Sequence, residues 1–532
     1  MLNSLPKRAD DPRAWGIATG ALALAPTAVL AVKAITGRPG ALALWAAGLG
    51  LVLVVASLTA GAVFQKPGKP PILAANVPDY APTRVTGLPR WLFLVGWALG
   101  TLGVAFVALL APGRVGEMPV GVDGGAMAWG VGLAAAGTAT AVVVVGSWAL
   151  ALLTRRAQAR AIRSHLGVLR PTLAILHSGG TGGSAYQLPM WLPYIEQVGE
   201  PYIVVTQEPK TVPIIAKLTS APVICAGKAD PRLLKQVLGA SIKVAFYVRN
   251  TKDNRVFLAH RRITHVWLNH GDSDKPANFN PLHKEFDKLF VCGQLGVDRY
   301  AANGVEIPRE SFEIVGRPQI GDIELDPTPI AEKPEPVVLY APTWMGLHSY
   351  DNYTSLPVAP AMVQRLVERG VRVIFRPHPL SRKPAEIDQV RAVEEVLRAD
   401  RAATGRKHVW GKKAESTWSV ADCVNHSDAL ISDVSSVVSD YLASLKPYAL
   451  VAMNHTEDEF RQTFASARSA YVIRRDLANL DECLDALLGP DPLLASRTER
   501  RQYTLGGLTG REAADEFVAT VRRLIDSSSS TE

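Results

Sequence analysis

The chain has 532 residues and a formal net charge of +8 at neutral pH, with 57 Lys and Arg against 49 Asp and Glu. Its length allows several domains and a sizeable core. The positive charge favours anionic partners such as nucleotides, phosphopolymers or lipid headgroups. No nucleic-acid partner is expected, because basic and aromatic residues do not interleave. The four cysteines lie far apart and lack CxxC spacing, which argues against disulfides and a zinc site.

The first 155 residues differ in composition from the rest. Four stretches contain no charged residue: Ala14–Val32, Ala41–Phe64, Trp91–Pro112 and Met127–Thr154. Each approaches or exceeds the roughly 20 residues that cross a bilayer. We therefore predict a cytoplasmic tail over residues 1–13 and a four-helix transmembrane region over residues 14–154. A removable signal peptide is the weaker interpretation, because three further stretches follow the first.

The basic residues predict the orientation of these spans. The tail, the loop between spans two and three, and the segment after span four carry Lys7, Arg8, Arg13, Lys66, Lys69, Arg84, Arg90, Arg155, Arg156, Arg160 and Arg163. The opposite loops carry only Lys33, Arg38 and Arg114. The positive-inside rule then places both termini in the cytoplasm, with the large C-terminal part cytosolic and tethered to the membrane.

From about residue 170 onward, strand-like runs alternate with amphipathic helical patterns. The strand candidates are 172–176, 202–205, 243–247, 266–269, 312–315, 337–340, 371–375, 429–432 and 448–452. This alternation predicts an α/β fold with parallel sheets built from βαβ units. Four prolines interrupt residues 322–336. We therefore predict two Rossmann-like domains, residues 165–321 and 336–526, followed by a disordered tail over residues 527–532.

Polar motifs follow several of these strands, where open α/β sheets bind ligands. The first reads Asn269-His-Gly-Asp-Ser-Asp-Lys275. His270 is a candidate general base for a hydroxyl nucleophile. Asp272 and Asp274 spell D-x-D, which suits a Mg²⁺ or Mn²⁺ ion under a pyrophosphate, but we rank an orienting role toward His270 above metal binding. No metal and no cofactor are expected.

Two later motifs favour a diphosphate. In Arg376-Pro-His-Pro379 the prolines stiffen the turn that carries Arg376 and His378. Ser432-Asp-Val-Ser-Ser436 precedes a helical pattern, so Ser435 and Ser436 either bind phosphate at the helix N-terminus or act as ordinary caps. The motif also supplies Ser432 and Asp433 as candidate ligands.

Three further motifs remain open in role. In Tyr340-Ala-Pro-Thr-Trp344, Thr343 is a candidate phosphate ligand, and Trp344 either stacks on a base or fills the core. Gly316-Arg-Pro318 follows another strand. The loop Gly179-Gly-Thr-Gly-Gly183 has two interpretations. It either admits a phosphate or an acceptor chain at Gly179 and Gly180, or it is a flexible turn, and the flexible turn is favoured.

In this order, the motifs resemble the CDP-glycerol glycerophosphotransferase family, the teichoic acid polymerases and primases. The matches are His270-Gly271, Tyr340–Trp344, Arg376–Pro379, Ser432–Ser436 with Asp440, and Lys446-Pro447, with Gly510-Arg511 a looser one. The resemblance covers roughly residues 170–525. It departs from the family at Asp272 and Ser273, where the family has threonine and proline, and at Met345, where arginine is frequent.

The resemblance implies a GT-B-type fold with acceptor on the N-terminal domain and nucleotide on the C-terminal one. It implies His270 and His378 as the catalytic pair, and transfer of glycerol phosphate from CDP-glycerol, or a related CDP-polyol, to a hydroxyl, with release of CMP. Arg376, Thr343, Ser432, Asp433, Ser435 and Ser436 are then expected on the donor side, and Asp272, Asp274, Lys275, Gly179 and Gly180 near the acceptor or the base.

We therefore expect a multi-pass enzyme of the bacterial plasma membrane, with a cytoplasmic catalytic part acting on a lipid-linked polymer acceptor in teichoic-acid-like synthesis. Two alternatives stay open. One is a GT-B glycosyltransferase that uses a nucleotide sugar for capsule or envelope glycan. The other is a non-catalytic, membrane-bound scaffold that binds polymer.

Overall fold

The structure, a computed structural model, describes residues 72–82, 100, 114–115, 118–119, 124–178, 187–227, 230–268, 271–346, 352–508 and 510–529. The chain divides into two compact units, Met1–His165 and Leu166–Glu532. Each unit is described by itself below.

The described part of the first unit is dominated by helix α1, Gly124–Leu169, which continues past the boundary. The first three predicted spans lie outside the described residues, apart from Gly100. The fourth falls within α1. In the part of the chain that the structure describes, one helical segment, Ala135–Leu169, is long and apolar enough to cross a membrane. Short strands occur at Ala74–Ala75, and at Arg114–Val115 paired with Met118–Pro119.

The first sheet of the second unit is parallel, as the alternation of strands and helices predicted. Its strands are β1 (Leu173–His177), β2 (Tyr202–Thr206), β3 (Val223–Cys225), β4 (Val244–Tyr247), β5 (Thr264–Trp267), β6 (Lys288–Val291) and β7 (Phe312–Ile314). They lie in the order β3-β2-β1-β4-β5-β6-β7. Every residue of β1, β2 and β4 is buried, as is usual for parallel strands covered by helices on both faces.

The second sheet is also parallel. Its strands are β8 (Val337–Ala341), β9 (Arg372–Phe375), β10 (Ala429–Ser432), β11 (Tyr448–Ala452) and β12 (Tyr471–Arg474), in the order β9-β8-β10-β11-β12. Successive residues of β8 pack into different cores: Val338 and Tyr340 into one, Val337 and Leu339 into the other. This follows from the alternation of side chains along a strand, and it places β8 at the centre of the domain.

Helices cover the sheets in the following order: α2 (Leu192–Gln197), α3 (Val212–Ile215), α4 (Pro231–Val237), α5 (Arg255–Leu258), α6 (Gln294–Ala302), α7 (Ala359–Glu368), α8 (Ile387–Thr404), α9 (Val420–Asn425), α10 (Ser436–Tyr441), α11 (Glu457–Thr463), α12 (Leu480–Leu488), α13 (Leu494–Leu505) and α14 (Arg511–Ser529). Helix α8 ends at Gly405, whose φ of 75° is the left-handed conformation that glycine adopts without strain.

The last helix, α14, lies on the first sheet although it follows the second in sequence. Phe517 is fully buried, and its ring centroid is 5.5 Å from that of Trp191 and 5.7 Å from that of Phe290. Arg522 donates to the carbonyl of Val198. Residues up to 526, which we expected in the second domain, therefore include a helix that packs on the first. The helix continues to Ser529, three residues into the tail for which we expected disorder, and residues 530–532 lie outside the described residues.

Candidate active site

Three of the motifs found in the sequence follow the three neighbouring strands β9, β8 and β10. The chain passes from β8 to β9 on one side and then returns to β10 on the other, so the strand order reverses at β8. Ligands of open α/β sheets bind at such a reversal, outside the carboxyl ends of the strands. The topology therefore places Tyr340–Trp344, Arg376–Pro379 and Ser432–Ser436 at the expected position for a ligand site.

Hydrogen bonds tie these three loops together. The backbone N–H of Arg376 donates to the carbonyl of Tyr340 at 2.9 Å, and that of His378 donates to the carbonyl of Pro342 at 3.2 Å. The hydroxyl of Ser432 donates to the carbonyl of Ala341 at 2.7 Å and is fully buried. The Ser432 hydroxyl is thus engaged with the neighbouring strand, which gives it a structural contact in place of the phosphate contact expected from sequence.

Asp433 is the buried centre of the same cluster. One carboxylate oxygen, Oδ2, accepts the backbone N–H groups of Thr343 at 2.8 Å and of Ser355 at 3.1 Å. The other oxygen, Oδ1, has no hydrogen-bond partner among the described residues. Burial raises the pKa of Asp433 to about 7, against the opposing effect of hydrogen bonds from Ser355 and Thr343 and the charge of Lys275. Asp433 therefore holds the loop after β8 in place.

Arg376 and His378 have different surroundings within their rigid turn. One guanidinium nitrogen of Arg376, Nη1, donates to the carbonyls of Ala414 and, at 2.9 Å, of Trp418, which anchors the segment between α8 and α9. The ring nitrogen Nδ1 of His378 accepts the backbone N–H of Leu380 at 3.1 Å. An accepting Nδ1 fixes the neutral ring in the tautomer that carries its proton on Nε2.

The ring of His378 also stacks on an aromatic side chain of a neighbouring motif. Its centroid is 6.0 Å from the ring centroid of Trp344, and the two planes are 22° apart. This contact and the bond at Nδ1 fix the orientation of the His378 ring and the direction in which Nε2–H points.

The loop after β5 reaches this cluster from the first sheet. The ammonium of Lys275 donates to the hydroxyl of Thr343 at 2.8 Å. A Cβ atom placed on Gly271 would lie 3.0 Å from the side chain of Ser436, so the glycine allows the loop after β5 to lie close to the start of α10. Ser435 caps α10, since its hydroxyl accepts the N–H of Val437. His270, Gly179 and Gly180 lie outside the described residues.

The two carboxylates of the D-x-D sequence bind an arginine. Arg299 donates to Asp272 at 2.6 Å and to Asp274 at 3.0 Å, and the side chains of all three are at least nine-tenths buried. Burial acts to lower the pKa of Arg299, but the two carboxylates outweigh it and raise the pKa. Asp274 also accepts the backbone N–H of Ser466, beyond the second sheet's strand β11. Within the described ranges, no group of three His, Cys, Asp or Glu residues suits a metal ion.

A second buried ion pair joins the two sheets and was not predicted. Arg317, directly after β7, donates through Nε and Nη2 to both carboxylate oxygens of Asp440 on α10, and the Nη2 bond is 3.1 Å long. Burial acts to lower the pKa of Arg317, yet the charge of Asp440 outweighs it and raises the pKa. The sequence offered a partial signal, because both residues belong to motifs, but nothing in their spacing joined one to the other.

Comparison with known proteins identifies one family by sequence. The family model described as CDP-Glycerol:Poly(glycerophosphate) glycerophosphotransferase matches residues 324–466, which include all three motifs around β8. No curated protein sequence matches the chain. The conserved pattern of the family is therefore present in the segment that forms the candidate site.

Similar solved structures have low sequence identity to this chain. The wall teichoic acid polymerase TagF is 14% identical, with a TM-score of 0.43, and the match covers 71% of this chain and 95% of TagF. A UDP-N-acetylglucosamine 2-epimerase from Listeria monocytogenes is 15% identical, with a TM-score of 0.43 and coverages of 67% and 97%. A glycosyltransferase from Rickettsia africae is 12% identical, with a TM-score of 0.43 and coverages of 67% and 98%.

The family match and the motif cluster agree, since the matched segment supplies the loops that meet at the strand reversal. The resemblance seen in the sequence is confirmed over the matched segment: residues 324–466 carry the pattern of the CDP-glycerol glycerophosphotransferase family, which supports a transferase of that type.

Proposed function

We propose that this protein moves glycerol phosphate, or a related polyol phosphate, from a CDP-linked donor to a hydroxyl of a lipid-linked acceptor, with release of CMP, in the synthesis of a teichoic-acid-like polymer. The observation that carries the proposal is the meeting of the family's motifs at the reversal point of the second sheet. This is where an α/β domain binds a nucleotide.

On this proposal the donor's diphosphate lies against the loops after β9 and β10. The Nε2–H of His378 donates to a phosphate oxygen, which stabilises the negative charge on departing CMP. Ser436, beside Gly271, is the other donor-side group. Arg376 acts by holding the turn around Ala414 as much as by its charge, because one of its nitrogens is bonded to carbonyl oxygens.

The acceptor hydroxyl then approaches from the first sheet. His270, which precedes Gly271 in the sequence, takes its proton and acts as the general base. The phosphorus is attacked, the bond from phosphorus to the CMP oxygen breaks, and the polyol phosphate stays intact. Lys275 completes the site by fixing Thr343, while Asp272 and Asp274 hold the loop after β5 through Arg299.

We further propose that residues 165–321 and 336–526 form a GT-B-like pair of domains, with helix α14 packed back on the first sheet, and that residues 14–154 tether them to the plasma membrane. Support for a membrane location comes from α1, where the apolar side chains of Val142, Val143, Leu152 and Leu153 are exposed and therefore not part of a core. Tethering would raise the effective concentration of a lipid-linked acceptor at the site.

Two experiments test this proposal. The purified full-length protein is incubated with labelled CDP-glycerol, CDP-ribitol and nucleotide sugars, and consumption of each donor is measured. Consumption of a CDP-polyol is expected, and use of a nucleotide sugar alone would replace the proposal with a glycosyltransferase. Reporter fusions after residue 165 test the orientation, and a C-terminal reporter outside the cytoplasm would separate the enzyme from its nucleotide.

A further inference from the structure

A groove of about 590 Å³ lies beside the candidate site and has no role in the reaction as described. Its walls come from the loop after β5 and helix α6 on one side, and from the turn after α11 and helix α13 on the other. Its charged and aromatic lining includes Asp298, Tyr353, Arg468, Arg500 and Tyr503. It is large enough to hold several atoms of an extended chain.

The acidic side chains of this groove are bonded to neighbouring groups. Asp274 binds Arg299 and the N–H of Ser466. Asp298 accepts hydrogen bonds from the amide of Gln294 and from the hydroxyl of Tyr503. The charge of Asp274 is therefore balanced by Arg299, and the oxygens of Asp298 are engaged by hydrogen bonds from neutral groups.

The two arginines of the opposite wall are not neutralised in the described part of the chain. Arg468 is exposed and donates only to the carbonyls of Arg461 and Gln462, which leaves its charge unpaired. The guanidinium of Arg500 lies 5.6 Å from the ring centroid of Tyr503, and its Nε is buried with no hydrogen-bond partner. Two guanidinium charges without a carboxylate partner among the described residues, on one wall of the groove, favour an oxygen-rich, anionic ligand.

The groove connects with the transfer site through Tyr353. Tyr353 lines the groove, and the ammonium of Lys275 lies 5.9 Å from the centre of its ring. The same ammonium donates to Thr343 in the motif after β8. A chain bound in the groove would therefore have one end next to the cluster of motifs.

We propose that this groove binds phosphodiester groups of the growing acceptor polymer, behind the hydroxyl that reacts, and that Arg468 and Arg500 contact them. The inference rests on the proposed function for the identity of the polymer. Arginine suits this ligand because its planar fork donates two hydrogen bonds to one phosphate. The groove would give the enzyme higher affinity for an acceptor with several polyol phosphate units than for an acceptor with one unit.

Binding without donor gives the direct test. Full-length protein in detergent micelles is titrated into a fluorescent glycerol phosphate oligomer, and anisotropy is measured for the wild type, Arg468→Gln, Arg500→Gln and the double variant. Each loss of a charge-assisted contact is expected to weaken binding roughly ten- to a hundredfold. Arg398→Gln, the same charge change on the exposed face of α8, is the matched control and should bind as the wild type does. Equal affinity of wild type and double variant, or no binding by the wild type, would overturn the groove assignment.

Kinetics separate this inference from the proposed function. With a CDP-polyol donor, the double variant should show a higher KM for the oligomer while kcat and the donor KM stay unchanged. Arg500→Lys, which keeps the charge, should restore part of the affinity. A loss of kcat that is equal for short and long acceptors would overturn the assignment. If the wild type turns over no CDP-polyol, the proposed function fails, and the anisotropy titration still decides whether the groove binds a phosphodiester chain.

Discussion

The buried pair between Arg317 and Asp440 gives the sharpest prediction from the structure. Arg317 is 3% exposed and Asp440 is 8% exposed, and two hydrogen bonds join them. Asp440→Asn keeps the shape but leaves the arginine charge buried and unpaired, which costs roughly 3–5 kcal/mol. At about 2–4 °C per kcal/mol, the melting temperature should fall by roughly 6–20 °C. Thermal unfolding of the full-length protein in micelles, followed by circular dichroism, measures this fall.

Two comparisons make the result interpretable. The double variant Arg317→Met with Asp440→Leu removes both charges, and such replacements are often neutral, so it should melt closer to the wild type than the single variant does. Asp388→Asn breaks the exposed pair with Arg391 on α8 and should leave the melting temperature unchanged. An Asp440→Asn variant that melts with the wild type would refute the reasoning.

Three further predictions concern the site itself. Burial raises the pKa of Asp433 to about 7, so the folded protein holds a proton on this carboxyl that the unfolded chain releases near pH 4. The stability of Asp433→Asn relative to the wild type should therefore rise between about pH 4 and about pH 7, by at most about 1.4 kcal/mol per pH unit. Urea titrations measure this difference, and a difference that does not change with pH would contradict the prediction. His270→Ala should lower kcat by about 10²–10⁴-fold with little change in donor affinity. His378→Ala should weaken CMP binding, measured by calorimetry, by about ten- to a hundredfold. The reverse pattern would exchange the roles of the two histidines. Activity should persist in EDTA, since Arg299 already binds both carboxylates of the D-x-D sequence. A metal-dependent transferase would be indicated if EDTA removed all activity, Mn²⁺ restored it, and Asp272→Ala abolished it.

Much of the second unit was predictable from sequence because parallel strands are buried on both faces and appear as apolar runs. The strands Ala429–Ser432 and Tyr448–Ala452 were predicted at their observed bounds. Lys288–Val291 and Tyr471–Arg474 were not predicted; both lie near a sheet edge, and neither is buried at its two ends. Periodicity identifies buried strands better than strands that retain partial exposure.

The site was predictable in its location and less so in its contacts. Strand ends and the ordered motifs indicated which loops meet. They did not indicate that Ser432 binds a neighbouring strand or that Asp272 and Asp274 bind Arg299. These contacts depend on where distant segments are brought together by the fold. Composition also cannot distinguish a phosphate-binding serine from one that caps a helix, as Ser435 does.

The most direct test of the central claim is the identity of the nucleotide that leaves the donor. Full-length protein is mixed with CDP-glycerol and a lipid-linked or short soluble acceptor, and the reaction is followed by ³¹P NMR. Transfer of glycerol phosphate predicts that CMP appears together with a new phosphodiester signal in equal amount. Release of a nucleoside diphosphate, with no new phosphodiester, would contradict the account and indicate sugar or polyol transfer without phosphate.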